Sequence, residues 1–293
     1  MAGPILVTGG TGQLASSLKA AGGDAIRVAG RPALDFDRPE SIVASFREVA
    51  PTLVVNAAAY TAVDAAEDDA EAAYRANRDG PGALARLCAA AGVPLIHIST
   101  DYVFDGAKGA PYVETDPTAP TGVYGASKLA GEHEVLAAWA RTVVLRTSWV
   151  YAPTGKNFVR TMLRVGADRD RLRVVADQRG CPTTAADLAD AILAISARLR
   201  EGWRDEYAGV FHAAGSGETT WHGLAVATFE EAARFGAHVP VVEAITAAEY
   251  PTKAKRPADS RLDCGKLASV FGVRLPDWRA SLARTIDAVF AGK

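Results

Sequence analysis

The stretch "PILVTGGTGQLASSL", Pro4 to Leu18, decides the fold. A short apolar run ends at a glycine-rich turn, and a segment of helical period follows without a spacer. Gly9 and Gly12 stand three apart immediately before that helix. Glycine permits a tight turn and lets a pyrophosphate come close to the backbone, while a helix N-terminus offers free N–H groups and the positive end of its dipole. A strand, such a turn and a helix at the start of a βαβ pattern predict a dinucleotide site. The third small position is Ala15 rather than glycine, which still allows the helix to pack closely.

Working outward, "DAIRVAG", "TLVVNAA", "VPLIHIST" and "RTVVLRTSW" read as further buried parallel strands. Between them lie helical stretches such as "PESIVASFREVA", "AEAAYRANRDGPGALARLCAAAG" and "YGASKLAGEHEVLAAWA". Strand and helix in alternation predict an α/β fold, a doubly wound parallel (Rossmann) sheet with helices on both faces, which binds ligands at the carboxyl ends of its strands. Beyond residue 150 the pattern loosens into loops rich in Gly, Pro, Thr and Arg. Residues 1–150 are therefore expected to form the dinucleotide-binding domain with the catalytic groups. Residues 151–293 are expected to form mainly a smaller substrate-binding lobe, with strands near 172–176 and 209–214 returning to the main sheet.

Composition narrows the function. Of 293 residues 49% are hydrophobic, enough for a substantial core, and the formal net charge is −2 with basic residues scattered, so no nucleic-acid-binding stripe is expected. The three cysteines, Cys88, Cys181 and Cys264, lie far apart and suggest neither a disulfide framework nor a zinc site. The five histidines show no metal-ligand spacing. The N-terminus reads as no secretory leader and no run approaches a membrane span. A cytoplasmic protein with no membrane partner is the expectation.

Several strand ends carry polar groups. The second ends in "VAGRPALDFD", where Asp35 and Asp37 suit the adenosine ribose of NADH and Arg31 suits the 2′-phosphate of NADPH. NADPH is favoured and NADH stays open. The third ends in "NAAAYTAVD", where small alanines admit a flat ligand and Asn56, Tyr60 and Thr61 flank it. The fourth ends in Ser99, Thr100, Asp101 and Tyr102. In "VYGASKLAGE", Tyr124 and Lys128 share one face of a helix. If both meet Thr100 in one cleft, they suit reduction of a carbonyl: a cofactor brings hydride to carbon and an acid must protonate oxygen. A phenol has an ordinary pKa of about 10, so a neighbouring cation is expected to make its proton available. Past the fifth strand, Trp149 could stack on a flat sugar or base, and Arg256 could grip a diphosphate.

"TGGTGQL", "VVNAAAYTAVD", "STDYVFDG", "YGASKLAGE", "RTSWVYAPTGKNFVRTML", "VVADQRGCPT", "TTWHGLA" and "RPADSRL" occur in order across nearly the whole chain. In this series the sequence resembles the extended short-chain dehydrogenase/reductases, and within them the dTDP-4-dehydrorhamnose reductase family. The resemblance implies reduction of the 4-keto group of dTDP-4-dehydro-L-rhamnose to dTDP-L-rhamnose by NADPH or NADH, the last step of dTDP-rhamnose biosynthesis. It implies Tyr124 as proton donor, Lys128 as its partner and Thr100 as the third catalytic residue. It also implies that Gly9, Gly12, Gln13, Leu14, Asp35, Phe36, Ala59, Tyr60, Thr61, Ile98, Tyr124 and Lys128 meet the dinucleotide. Thr100, Asp101 and Trp149 would hold the sugar nucleotide, together with Arg256. A homodimer fits the family. Ala65 replaces a customary lysine, and Ser17 and Ala186 stand where some relatives place magnesium-binding glutamates, so no metal is expected. The alternatives are a reductase giving another 6-deoxysugar, such as dTDP-6-deoxytalose, and a non-catalytic regulatory subunit of the same fold.

Overall fold

The structure, a computed structural model, describes residues 3–291. In chain order the strands are β1 (Ile5–Thr8), β2 (Ile26–Ala29), β3 (Leu53–Asn56), β4 (Leu95–Thr100), β5 (Thr142–Thr147), β6 (Val150–Tyr151), β7 (Arg171–Val175), β8 (Arg179–Gly180), β9 (Thr183–Thr184), β10 (Gly209–His212), β11 (Thr219–Thr220) and β12 (Val241–Ile245). The helices are α1 (Gln13–Gly22), α2 (Pro39–Val49), α3 (Val63–Ala66), α4 (Ala70–Tyr74), α5 (Gly80–Ala91), α6 (Val123–Ala138), α7 (Phe158–Gly166), α8 (Ala185–Glu201), α9 (Trp221–Ala233), α10 (Gly265–Phe271) and α11 (Trp278–Ala291).

Six strands form one parallel sheet in the order β2-β1-β3-β4-β5-β10. β1, β3 and β5 are buried along their whole length, as apolar runs covered on both faces require. Successive residues serve opposite faces. Leu6, Val54, Leu95 and Val144 meet α2, α5 and α6 through Ile42, Phe46, Leu84 and Val135. Val7, Leu53, Ile96 and Leu145 meet α1, α8 and α10 through Leu18, Leu188, Ile192 and Phe271. Each such side chain stabilises the fold by about 1.5–3 kcal/mol on leaving water. The chain passes from one side of β1 to the other between β2 and β3, and the crevice opens at the carboxyl ends of these strands.

Gly9 has φ +109, and a Cβ there would meet the Ala57 carbonyl oxygen at 3.0 Å. Glycine is thus required by both the backbone angle and the approach of β3's exit loop. Between α4 and α5 the helix widens over Arg75–Asp79, a local π-turn of the kind that re-aims side chains. It turns Asn77 inward, where its amide donates to the Ser127 hydroxyl at 2.9 Å and to the Tyr60 carbonyl at 3.1 Å.

One of the two expected later strands joins the main sheet. β10 pairs in parallel with β5. The segment near 172–176 does not: β7 pairs with β12 in a separate two-stranded sheet. Its residues explain this, because Leu172 and Val174 are buried while Arg171 and Arg173 point outward to Glu243 and Glu249. One-sided burial suits a peripheral sheet and not the middle of a parallel one. Its apolar side packs on Ala225 and Phe229 of α9. A neighbouring cluster of Tyr151, Val159, Leu224, Leu282 and Ile286 joins α7, α9 and α11.

Candidate active site

A cavity of about 950 Å³ lies at the carboxyl ends of β1, β3, β4 and β5. Its inner end is the glycine turn, with Gly9, Gly12, Gln13 and Leu14, and the alanines Ala57, Ala58 and Ala59. α1 begins at Gln13 with no side chain capping its N-terminus, so its first N–H groups are left for an anion. Cramped backbone, free donors and small flat walls are what a dinucleotide pyrophosphate needs, and the residues present fit that group.

Three successive residues of β4 are each tied to α6. Lys128 Nζ donates to the Ile98 carbonyl at 2.6 Å. The Ser99 hydroxyl donates to the Glu132 carboxylate. Thr100 places its hydroxyl beside the Tyr124 phenol, one helical turn before Lys128. Tyr124, Lys128 and Glu132 recur at four-residue spacing, so one stripe of α6 lies along the strand end. Glu132 also receives Arg146 of β5, with Nε at 2.9 Å and Nη2 at 2.7 Å. This forked pair is withdrawn from water, with side-chain exposures of 1% and 5%.

Burial sets the electrostatics. It pushes the Lys128 ammonium down to about 8, with the Glu132 carboxylate acting in the opposite sense. It pushes the Tyr124 phenol above its ordinary range, with the Thr100 hydroxyl opposing. For Tyr124, desolvation of the phenolate outweighs the Thr100 hydroxyl, and the Asp101 carboxylate acts in the same sense as burial. A phenol of ordinary pKa about 10 is already protonated at neutral pH, so Tyr124 stands in the form a proton donor needs, and burial makes it the weaker acid. Asp101 accepts from the Thr100 hydroxyl at 3.0 Å, and burial raises its carboxyl to about 6. Tyr102 sets its ring edge-on to Tyr124, with centroids 5.6 Å apart.

The outer part of the cavity is built by later segments. Trp149 lies parallel to Trp221 with ring centroids 3.6 Å apart. Arg256 reaches the cavity from a strap whose residues bridge to α3 and the turn after it: Arg256 Nη2 donates to Asp64 Oδ2 at 2.8 Å, and Lys253 pairs with Asp68.

Most residues singled out in the sequence converge here. Gly9, Gly12, Gln13, Leu14, Phe36, Ala59, Thr61 and Ile98 line the cavity, and so do Thr100, Asp101, Tyr124, Lys128, Trp149 and Arg256. Asp35 and Tyr60 do not. The Asp35 carboxylate is turned to Arg31 at 3.5 Å and Arg38 at 3.7 Å, and Asp37 reaches the cavity instead. Tyr60 is fastened through its backbone to Asn77. Asn56 is also withdrawn, accepting from Thr8 at 2.6 Å and donating to His97 Nδ1 at 2.9 Å. Sequence reasoning missed Thr147, Ser148, Lys156 and Trp221 as lining residues. All four stand in quoted motifs, Thr147, Ser148 and Lys156 in "RTSWVYAPTGKNFVRTML" and Trp221 in "TTWHGLA", but nothing local marks them as facing a cavity. Among the described residues no three His, Cys, Asp or Glu side chains gather as metal ligands would.

Known proteins match the chain along nearly its whole length. The family model described as RmlD substrate binding domain matches residues 3–290. The chain is 47% identical over 287 residues to a dTDP-4-dehydrorhamnose reductase of Sinorhizobium fredii, covering 97% of each chain. It is 42% identical over 259 residues to that of Escherichia coli, covering 87% of this chain and 86% of the other. A crystal structure of a dTDP-4-dehydrorhamnose reductase from Clostridium acetobutylicum superposes with TM-score 0.89 at 36% identity, covering 98% of this chain and 99% of that one. One from Bacillus anthracis in complex with NADP also gives 0.89, at 32% identity over 98% and 100%.

Proposed function

The chain belongs to the RmlD substrate binding domain family, shared with the dTDP-4-dehydrorhamnose reductases it resembles, and from that membership we propose that it reduces the 4-keto group of dTDP-4-dehydro-L-rhamnose to dTDP-L-rhamnose with NADPH or NADH. It is an oxidoreductase acting in the last step of dTDP-rhamnose synthesis. The observation that carries this reading is the meeting of Thr100, Tyr124 and Lys128 in one cavity whose other end is the Gly9–Gly12 turn.

When bound, the dinucleotide supplies hydride to the sugar C4. Gly9, Gly12, Gln13, Leu14, Phe36, Ala59, Thr61 and Ile98 would hold it, with Arg31 and Asp37 facing its adenosine end. Arg31 favours NADPH and Asp37 favours NADH, so both dinucleotides remain within the proposal. Tyr124 gives its proton to the C4 oxygen as negative charge develops there. Lys128, held by Ile98, stabilises the phenolate left behind. Thr100 would turn its single hydroxyl proton from Asp101 to the same oxygen and fix its direction. Asp101 and Trp149 flank the sugar, and Arg256 takes the diphosphate as a guanidinium fork.

Dinucleotide binding falls to residues 1–150 with β10, and sugar-nucleotide binding mainly to residues 151–293. The same reading puts the chain in the cytoplasm, in keeping with its free cysteines, and makes it a homodimer. No helix among the described residues is long and apolar enough to cross a membrane. The test is to supply the purified protein with dTDP-4-dehydro-L-rhamnose and either dinucleotide, and to identify the sugar by NMR. dTDP-L-rhamnose is expected. Absence of dinucleotide oxidation overturns the reductase reading, and dTDP-6-deoxytalose as product reassigns the C4 epimer.

A further inference from the structure

Trp149 is one of two non-glycine residues with positive φ among the described residues, at +49, in the left-handed region. Such a conformation costs about 1–3 kcal/mol and persists only where the surroundings enforce it. Two neighbours lie against its ring. Trp221 covers one face of the indole at 3.6 Å with planes 7° apart. Gly180 lies against it as well: a Cβ on Gly180 would fall 2.4 Å from Cε2, 2.6 Å from Nε1 and 2.7 Å from Cζ2 of Trp149. Cε2, the innermost of these three atoms, is the nearest, so Gly180 approaches over the ring face and not along its edge.

The two covers are joined to each other. Gly180 of β8 pairs with Thr219 of β11, and Trp221 comes two residues later as the first residue of α9. The Thr220 hydroxyl caps that helix by accepting from Gly223 N at 3.0 Å. Phe158 leans on Trp221 at 4.7 Å. The arrangement is a built clamp whose contents are the Trp149 ring.

We infer that Gly180 and Trp221 are positioning residues which hold Trp149 edge-on in the cavity, so that it meets the sugar of the nucleotide with its ring edge and does not stack on the base. The inference rests on the proposed reductase reading for the identity of that sugar. Its chemical ground is that Trp221, parallel at 3.6 Å, leaves no room for Gly180 on its own side of the ring, so Gly180 takes the other side and a flat base could stack only by parting the two tryptophans. The ring edge carries the positive side of the aromatic quadrupole. It therefore suits the oxygen-rich rim of a 6-deoxysugar better than the face of a base. Trp149 itself was expected from the sequence to stack on a flat sugar or base, and the clamp replaces that expectation.

The test compares wild type with Gly180→Ala, Trp221→Leu and Trp221→Phe. Two stacked indoles couple their transitions, so their circular dichroism reports the stack apart from activity. Added dTDP-L-rhamnose is expected to leave the wild-type couplet in place. KM for the 4-keto sugar is expected to rise about tenfold or more in Trp221→Leu and Gly180→Ala, and to recover within about threefold of wild type in Trp221→Phe, where a flat cover remains. Dinucleotide affinity, measured by titration, should not move. Loss of the couplet on adding dTDP-L-rhamnose overturns the inference, and so does an unchanged KM in Trp221→Leu and Gly180→Ala. If wild type fails to oxidise either dinucleotide with the 4-keto sugar, the reductase reading fails instead. The couplet in wild type and its weakening in Gly180→Ala then still decide whether the clamp exists.

Discussion

The β4–α6 wall is held by groups withdrawn from water, with Glu132 forked onto Arg146 and Lys128 seated on the Ile98 carbonyl. The strap across the same cavity is held by Lys253 with Asp68, a pair that stands in solvent, and by Arg256 with Asp64, a pair only half withdrawn from it. A charge in a dry network has no alternative partner, so losing its counterion costs several kcal/mol. A surface pair has water and salt as alternatives and contributes about 0–1 kcal/mol. The difference matches the tasks assigned to the two regions. On the proposed reading, groups that handle the proton must not wander, whereas Arg256 would exchange Asp64 for an anionic ligand.

The strongest challenge to this contrast is Glu132→Ala, which leaves the Arg146 charge buried and unpaired. Unfolding in urea is expected to show a loss of about 3–5 kcal/mol. A loss below about 1 kcal/mol would place the pair in the same class as the strap. Next is Tyr124→Phe, where kcat is expected to fall at least about 10²-fold with dinucleotide affinity unchanged. An unchanged rate removes Tyr124 from its role.

A third effect is pH dependence. A lysine is a cation below its pKa, and Lys128 sits at about 8. kcat is thus expected to decline as pH rises through about 8, and the decline should shift to lower pH in Glu132→Gln because the carboxylate that supports the cation is gone. A limb that does not move separates Glu132 from Lys128. The smallest effect belongs to the strap. Lys253→Ala should alter stability by less than about 1 kcal/mol, and salt should erase the difference, because an exposed pair is already screened. A salt-insensitive loss would mean that the strap is structural.

Much of this was legible in the sequence. Central parallel strands need continuous apolar runs, so β1, β3 and β5 announced themselves, and the turn from Gly9 to Gly12 marked the cavity's inner end. β7 misled because "LRVV" looks apolar until its arginines are assigned to one face. Asp35 and Tyr60 misled because short loops decide which neighbour faces the cavity, and there Asp37 and Thr61 do. Glu132 was invisible for a different reason: a glutamate on a helix is ordinarily solvated, and nothing local says that Ser99 and Arg146 lie opposite. Trp221 stands in a recognisable motif, but only its partner 72 positions away reveals the clamp.

The central claim is that hydride reaches C4 of the sugar in the cavity where Thr100, Tyr124 and Lys128 converge. It is tested most directly with NADPH deuterated at the transferred position and dTDP-4-dehydro-L-rhamnose, reading the product by NMR. Deuterium at C4 is the expected result, at a rate reduced at least about 10²-fold in Tyr124→Phe. Product without deuterium at C4, or the same rate in the variant, would contradict it.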